Sequence, residues 1–86
     1  MPTISIFYGI IIRMFYEDHA PPHFNAQYGD HKASIAIDPL RLIDGSLPAR
    51  ALVLVLDWAE MHKAELHENW RLCRDHLSPV PIKLLQ

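Results

Sequence analysis

Residues 49–76 carry neither glycine nor proline, and within them Leu52, Val55, Ala59, His62, Leu66, Trp70 and Cys73 recur at spacings of three and four. That stripe is the pattern of an amphipathic helix. Pro48 suits the first helical position, where its missing N–H costs nothing, and Ser78-Pro79 ends the run. A single helix over residues 49–76 would reach about 42 Å at 1.5 Å per residue. A short strand covers only about 20 Å. The helix must therefore either overhang any sheet it packs on or break, and the segment from Met61 to Lys63 is where a break is expected.

The first half has a different period. Residues 3–7 are rich in β-branched and aromatic side chains, Tyr8-Gly9 reads as a turn, and residues 10–16 read as a second strand of a hairpin. Residues 17–22 interrupt the pattern, because the Pro21-Pro22 pair has no N–H to donate to a ladder. Residues 23–28 alternate, with Phe24, Ala26 and Tyr28 on one face and His23, Asn25 and Gln27 on the other. After the Gly29-Asp30 turn, Ala33, Ile35 and Ile37 face inward and Lys32, Ser34 and Ala36 outward. Asp38-Pro39 stops this strand, and residues 40–43 form a short fifth one before Asp44-Gly45. The fold class is therefore α+β: a small antiparallel sheet of four to five strands in the N-terminal half, packed on one face by a C-terminal helix or kinked helix pair. One domain covers residues 1–86, with strands over about 3–43, helix over about 48–76 and a tail at 77–86. The other sheet face is left open to solvent or to a partner.

Composition narrows the function. With 86 residues, a net charge of −2 and a pI near 6.3, the chain lacks the basic patch of a protein that grips nucleic acid through phosphates, and DNA is not an expected partner. A core this small leaves little room for an enclosed site of about 300 Å³, which favours binding on an open face or across a homodimer. The single cysteine, Cys73, has no internal partner, so a reducing cytoplasm is expected. The N-terminus lacks the basic region of a signal peptide. The longest apolar runs fall far short of the ~20 residues that span a membrane, so no membrane association is expected.

The unusual stretch is Asp18-His19-Ala20-Pro21-Pro22-His23-Phe24-Asn25. The paired prolines hold the backbone extended and fix how His23 enters the sheet. Alternation then places His23, Asn25 and Gln27 on the open face, where strand two adds Arg13 and strand four adds Lys32 and Ser34. These six residues are the expected binding surface, able to meet a protein or an RNA segment. His19 and His23 with His31, Asp18 or Asp30 lack the fixed spacing of a metal site, and neither metal nor cofactor is expected. Cys73, on the apolar stripe, reads as a small buried hydrophobe. Trp58 and Trp70 read as packing residues and His62 as a buried histidine. Glu60 with Lys63, and Glu68 with Arg71, read as surface pairs.

The opening Met1-Pro2-Thr3-Ile4-Ser5, Arg13-Met14, the His19-Ala20-Pro21-Pro22-His23-Phe24 core, Tyr28-Gly29-Asp30, Leu47-Pro48-Ala49-Arg50-Ala51-Leu52, Trp58-Ala59-Glu60 and Glu68-Asn69-Trp70 together resemble the bacterial domain-of-unknown-function 4160 family. The resemblance runs to about residue 75. It implies a small standalone protein encoded beside another small protein, and hence a role in a toxin–antitoxin-like two-gene system. The family pattern continues with a histidine where this chain has Asn25, a poor metal ligand, which weakens any metal or general-base role here. Two readings follow. One is an interaction module that binds a protein encoded nearby through its open sheet face or a strand edge. The alternative is a small RNA-directed toxin nuclease using His19 and His23 as acid and base.

Overall fold

The computed structural model describes residues 3–16 and 21–82. Five strands, β1 (Thr3–Phe7), β2 (Ile10–Arg13), β3 (His23–Tyr28), β4 (His31–Ile37) and β5 (Leu40–Gly45), precede two helices, α1 (Ala49–Met61) and α2 (Lys63–Arg74). The strands form one antiparallel meander in the order β1-β2-β3-β4-β5. β1 and β5 are therefore its two edges.

The α+β architecture predicted from the sequence is the one observed, with the helices packed on the sheet. The break falls at His62, whose φ of −124° and ψ of 26° leave the helical region. Length explains it, because a straight helix would run off the sheet. Trp58 is fully buried between the layers, its ring 5.2 Å from Phe7 and 5.9 Å from Phe24. Ala33, Ile35 and Ile37 face inward with Ile4, Ile10, Ile12 and Phe24.

Four details differ from the sequence reading. β2 ends at Arg13, three residues before Tyr16, because the chain leaves the ladder there and Met14 is buried in the core. Ala36, expected to face outward, is buried together with Ile35 and Ile37, so both faces of β4 are covered at this end, where α2 packs. β5 continues past Ile43 to Gly45, because a shift in the β4–β5 register pairs Asp44 with Ser34 and Gly45 with Ala33. α2 stops at Arg74, not His76. His76 there adopts a left-handed conformation (φ +62°), while its amide donates to Cys73 O and the Leu77 amide to Leu72 O. That pair of bonds is the Schellman ending of a helix, made here without glycine. No helix among the described residues is long and apolar enough to cross a membrane.

Candidate interaction face

Register, more than proximity in sequence, assembles the open face. Arg13 on β2 pairs with Asn25 on β3, Asn25 with Ser34 on β4, and Ser34 with Asp44 on β5. These four side chains stand in one row across four strands, about 4.8 Å apart. A parallel row holds Ile11, Gln27 and Lys32. Together with Phe15, Ala33 and Gly45 they line a shallow groove of about 170 Å³.

Hydrogen bonds order the groove. Arg13 donates to Gln27 Oε1 at 2.8 Å, and Gln27 Nε2 donates to the Gly29 carbonyl at 3.3 Å. Ser34 Oγ donates to Asn25 Oδ1 at 2.9 Å, while Asn25 Nδ2 is buried without an acceptor. An unsatisfied buried donor is uncommon in folded proteins and calls for a partner. Among the described residues no carboxylate forms an ion pair with Arg13 or Lys32. Asp44 Oδ1 accepts a bond from the neighbouring Gly45 amide, at 2.9 Å.

Of the six residues expected on this surface, Arg13, Asn25, Gln27, Lys32 and Ser34 line the groove. His23 does not join them. Its ring lies 5.2 Å from that of Trp70 on α2, and its Nδ1 is 2.8 Å from the Pro21 carbonyl. It stands opposite Ala36, at the end of the sheet where α2 packs, and the aromatic surface of Trp70 covers its ring there. His19 and Asp18 lie outside the described residues. Sequence reasoning missed Phe15, Ile11 and Asp44. Asp44 looked like turn chemistry, and only the β4–β5 register shift turns it into a strand residue facing Ser34.

Other candidate groups are accounted for by packing. Cys73 is buried, and burial pushes its thiol above the ordinary value, away from a reactive thiolate. Glu68 lies below the usual carboxylate range because it accepts a hydrogen bond from Arg71, both being on the solvent-exposed surface of α2. Lys63 Nζ and Glu60 Oε2 are 3.7 Å apart, the surface pair anticipated from their spacing. Among the described residues no three His, Cys, Asp or Glu side chains converge as metal ligands.

The two sheet edges differ. β5 bounds the sheet with Arg41, Leu42, Asp44 and Gly45 exposed. At the β1 edge, the Ile4 carbonyl accepts a hydrogen bond from the Ile82 amide at 2.7 Å.

No curated protein and no solved structure matches the chain. The family model described as a domain of unknown function, DUF4160, matches residues 9–71, from the turn before β2 into α2, and therefore takes in every groove-lining residue. On that match the chain belongs to the DUF4160 family.

Proposed function

We propose that this protein is an interaction module, one half of a toxin–antitoxin-like two-gene pair, and that its partner is the protein encoded beside it. The partner segment lies across the open sheet face and enters from the β5 edge. The observation that carries this reading is the row Arg13–Asn25–Ser34–Asp44, which spans four strands and ends at that edge. With Lys32 of the neighbouring row it offers two cations without ion pairs among the described residues, a buried amide donor without an acceptor, and a carboxylate, beside the apolar Ile11 and Phe15. An extended peptide supplies the matching groups: carbonyls for the donors and strand pairing for β5. The reading places the module in the cytoplasm, as the lone cysteine suggests.

RNA cleavage with His19 and His23 as acid and base ranks second, because the His23 ring packs on Trp70 and its Nδ1 meets a carbonyl away from the groove. Co-expression with the neighbouring gene product separates the two readings. The wild-type pair is expected to co-elute in size-exclusion chromatography at micromolar concentration. An Arg13→Glu, Lys32→Glu variant that remains folded by circular dichroism is expected to elute alone. Separate elution of the wild-type proteins overturns the proposal. RNA degradation in cells expressing the wild type, but not His23→Ala, would favour the nuclease.

A further inference from the structure

The segment after α2 turns back along the molecule and is held by a clasp that reads backbone. Asn69 Nδ2 donates to the Val80 carbonyl and Asn69 Oδ1 accepts from the Val80 amide, both at 2.8 Å. The Ile82 amide donates to Ile4 O at 2.7 Å, and Ser5 Oγ donates to Ile82 O at 2.9 Å. Both backbone groups of alternate residues are thus satisfied, as they would be in a sheet, with the Asn69 side chain imitating a neighbouring strand's peptide group. Asn69 is 1% exposed and Ser5 7%, so each is committed to this task. Pro81, between the two read positions, needs no N–H and costs the pairing nothing. Of the two read positions, Ile82 is buried in the core cluster, whereas Val80 is exposed.

Nothing in this recognition depends on the tail belonging to the same chain. The covalent tether is residues 75–79, of which Asp75, His76, Leu77 and Ser78 are exposed; Tyr16 stacks on His76 at its start. An open surface groove of about 310 Å³ runs beside the tail and α2, lined by Ala64, Glu65, Glu68, Asn69, Val80 and Ile82. Of the clasp residues, Asn69 lies within the stretch that matches the family, 9–71, and Ile4, Ser5 and the tail lie outside it.

We propose that the clasp is an exchangeable strand-acceptor site, and that residues 78–82 of a second copy of the chain occupy it in place of the chain's own, joining two molecules by reciprocal tail exchange. The exchanged form keeps every clasp contact, so tether geometry and concentration decide between the two forms. With the natural tether the effective local concentration of the tail is of millimolar order, which favours the closed monomer at micromolar protein. This proposal is independent of the partner at the open face, because it uses the opposite edge of the sheet.

Shortening the tether tests it. Asn69 precedes Asp75 by six residues, about 9 Å along the helix axis. Deleting Leu77, Ser78 and Pro79 leaves two backbone steps from Asp75 to Val80, a reach of about 7 Å. The chain can then no longer fill its own clasp, while the Tyr16–His76 stack is kept. Light scattering coupled to size exclusion is expected to give twice the variant's monomer mass at micromolar concentration, with the Val80 and Ile82 amides protected from hydrogen exchange. Adding Asn69→Leu is expected to return it to a monomer with those amides open. A folded shortened monomer with unprotected Val80 and Ile82 overturns the proposal. Should the shortened chain fail to fold, the full-length Ile82→Asp variant, its own tail disabled, is titrated with a labelled peptide of residues 78–86. Saturable binding supports exchange, and no binding up to millimolar peptide overturns it.

Discussion

Gly45 shows how one residue shapes the candidate face. It sits at φ +75°, and a Cβ there would stand 2.1 Å from the Lys32 carbonyl oxygen and 3.0 Å from Ala33 Cα. The obstacle is backbone, which cannot swing aside, and that same Lys32 carbonyl accepts the Ser46 amide at 3.0 Å. Close approach at Gly45 is what lets β5 run on to give Asp44 its place opposite Ser34. Gly29 also has a positive φ, +58°, but nothing lies within 4 Å of its Cβ position. Gly29→Ala thus carries only the left-handed penalty, about 1 kcal/mol, whereas Gly45→Ala adds a backbone clash and is expected to cost at least about 2 kcal/mol. Urea melts of the two variants check this, and equal midpoints would contradict it. His23 carries the complementary residue-scale lesson. Alternation assigns a side chain to a face but does not say what covers that face, and at His23 the Trp70 ring covers it.

At the scale of elements, the helix break has a geometric cause, and His62 occupies the break without creating it. Its Nδ1 is 2.6 Å from Glu65 Oε1, but its Nε2 is buried with no partner. Glu65 is half-exposed and is readily hydrated once the histidine is gone. Removing a buried polar atom that makes no hydrogen bond relieves a desolvation cost. His62→Leu is therefore expected to leave stability unchanged or raise it by up to about 1 kcal/mol, with α1 and α2 still distinct. A loss above ~1 kcal/mol in chemical denaturation would mean that the Glu65 pair holds the bend. The break was legible in the sequence because it follows from two lengths, a helical stripe and a strand, and so were the inward faces of β3 and β4. The clasp was not legible. Asn69 reads as one polar residue on a helix, and its partners, the Val80 backbone, are identified only once the chain has doubled back. The groove was half legible: parity found Asn25, Gln27, Lys32 and Ser34, but the register shift that recruits Asp44 is a property of two strands together and of neither alone.

For the whole molecule, the open face depends on the covered one. A one-residue slip in any strand would turn its groove side chains inward, so the row Arg13–Asn25–Ser34–Asp44 exists only while the opposite face stays packed. That packing is concentrated at Trp58, which reaches Phe7 on β1, Phe24 on β3 and the His62 ring, 5.5 Å away, at the helix break. A domain of this size has stability near the low end of the usual range, about 5 kcal/mol. Truncating a buried tryptophan to alanine costs about 3–5 kcal/mol, nearly the whole of it. Trp58→Ala is accordingly expected to be largely unfolded at 25 °C, whereas Trp58→Phe, which keeps an aromatic ring against Phe7 and Phe24, is expected to fold with reduced stability. If one core holds both layers, the wild type should unfold in a single step: the helical circular dichroism signal and the fluorescence of Trp70, observed in Trp58→Phe as the sole tryptophan, should share one guanidinium midpoint. A sheet that outlasts the helices, seen as residual structure after the Trp70 transition, would show instead that the groove-bearing layer stands without Trp58.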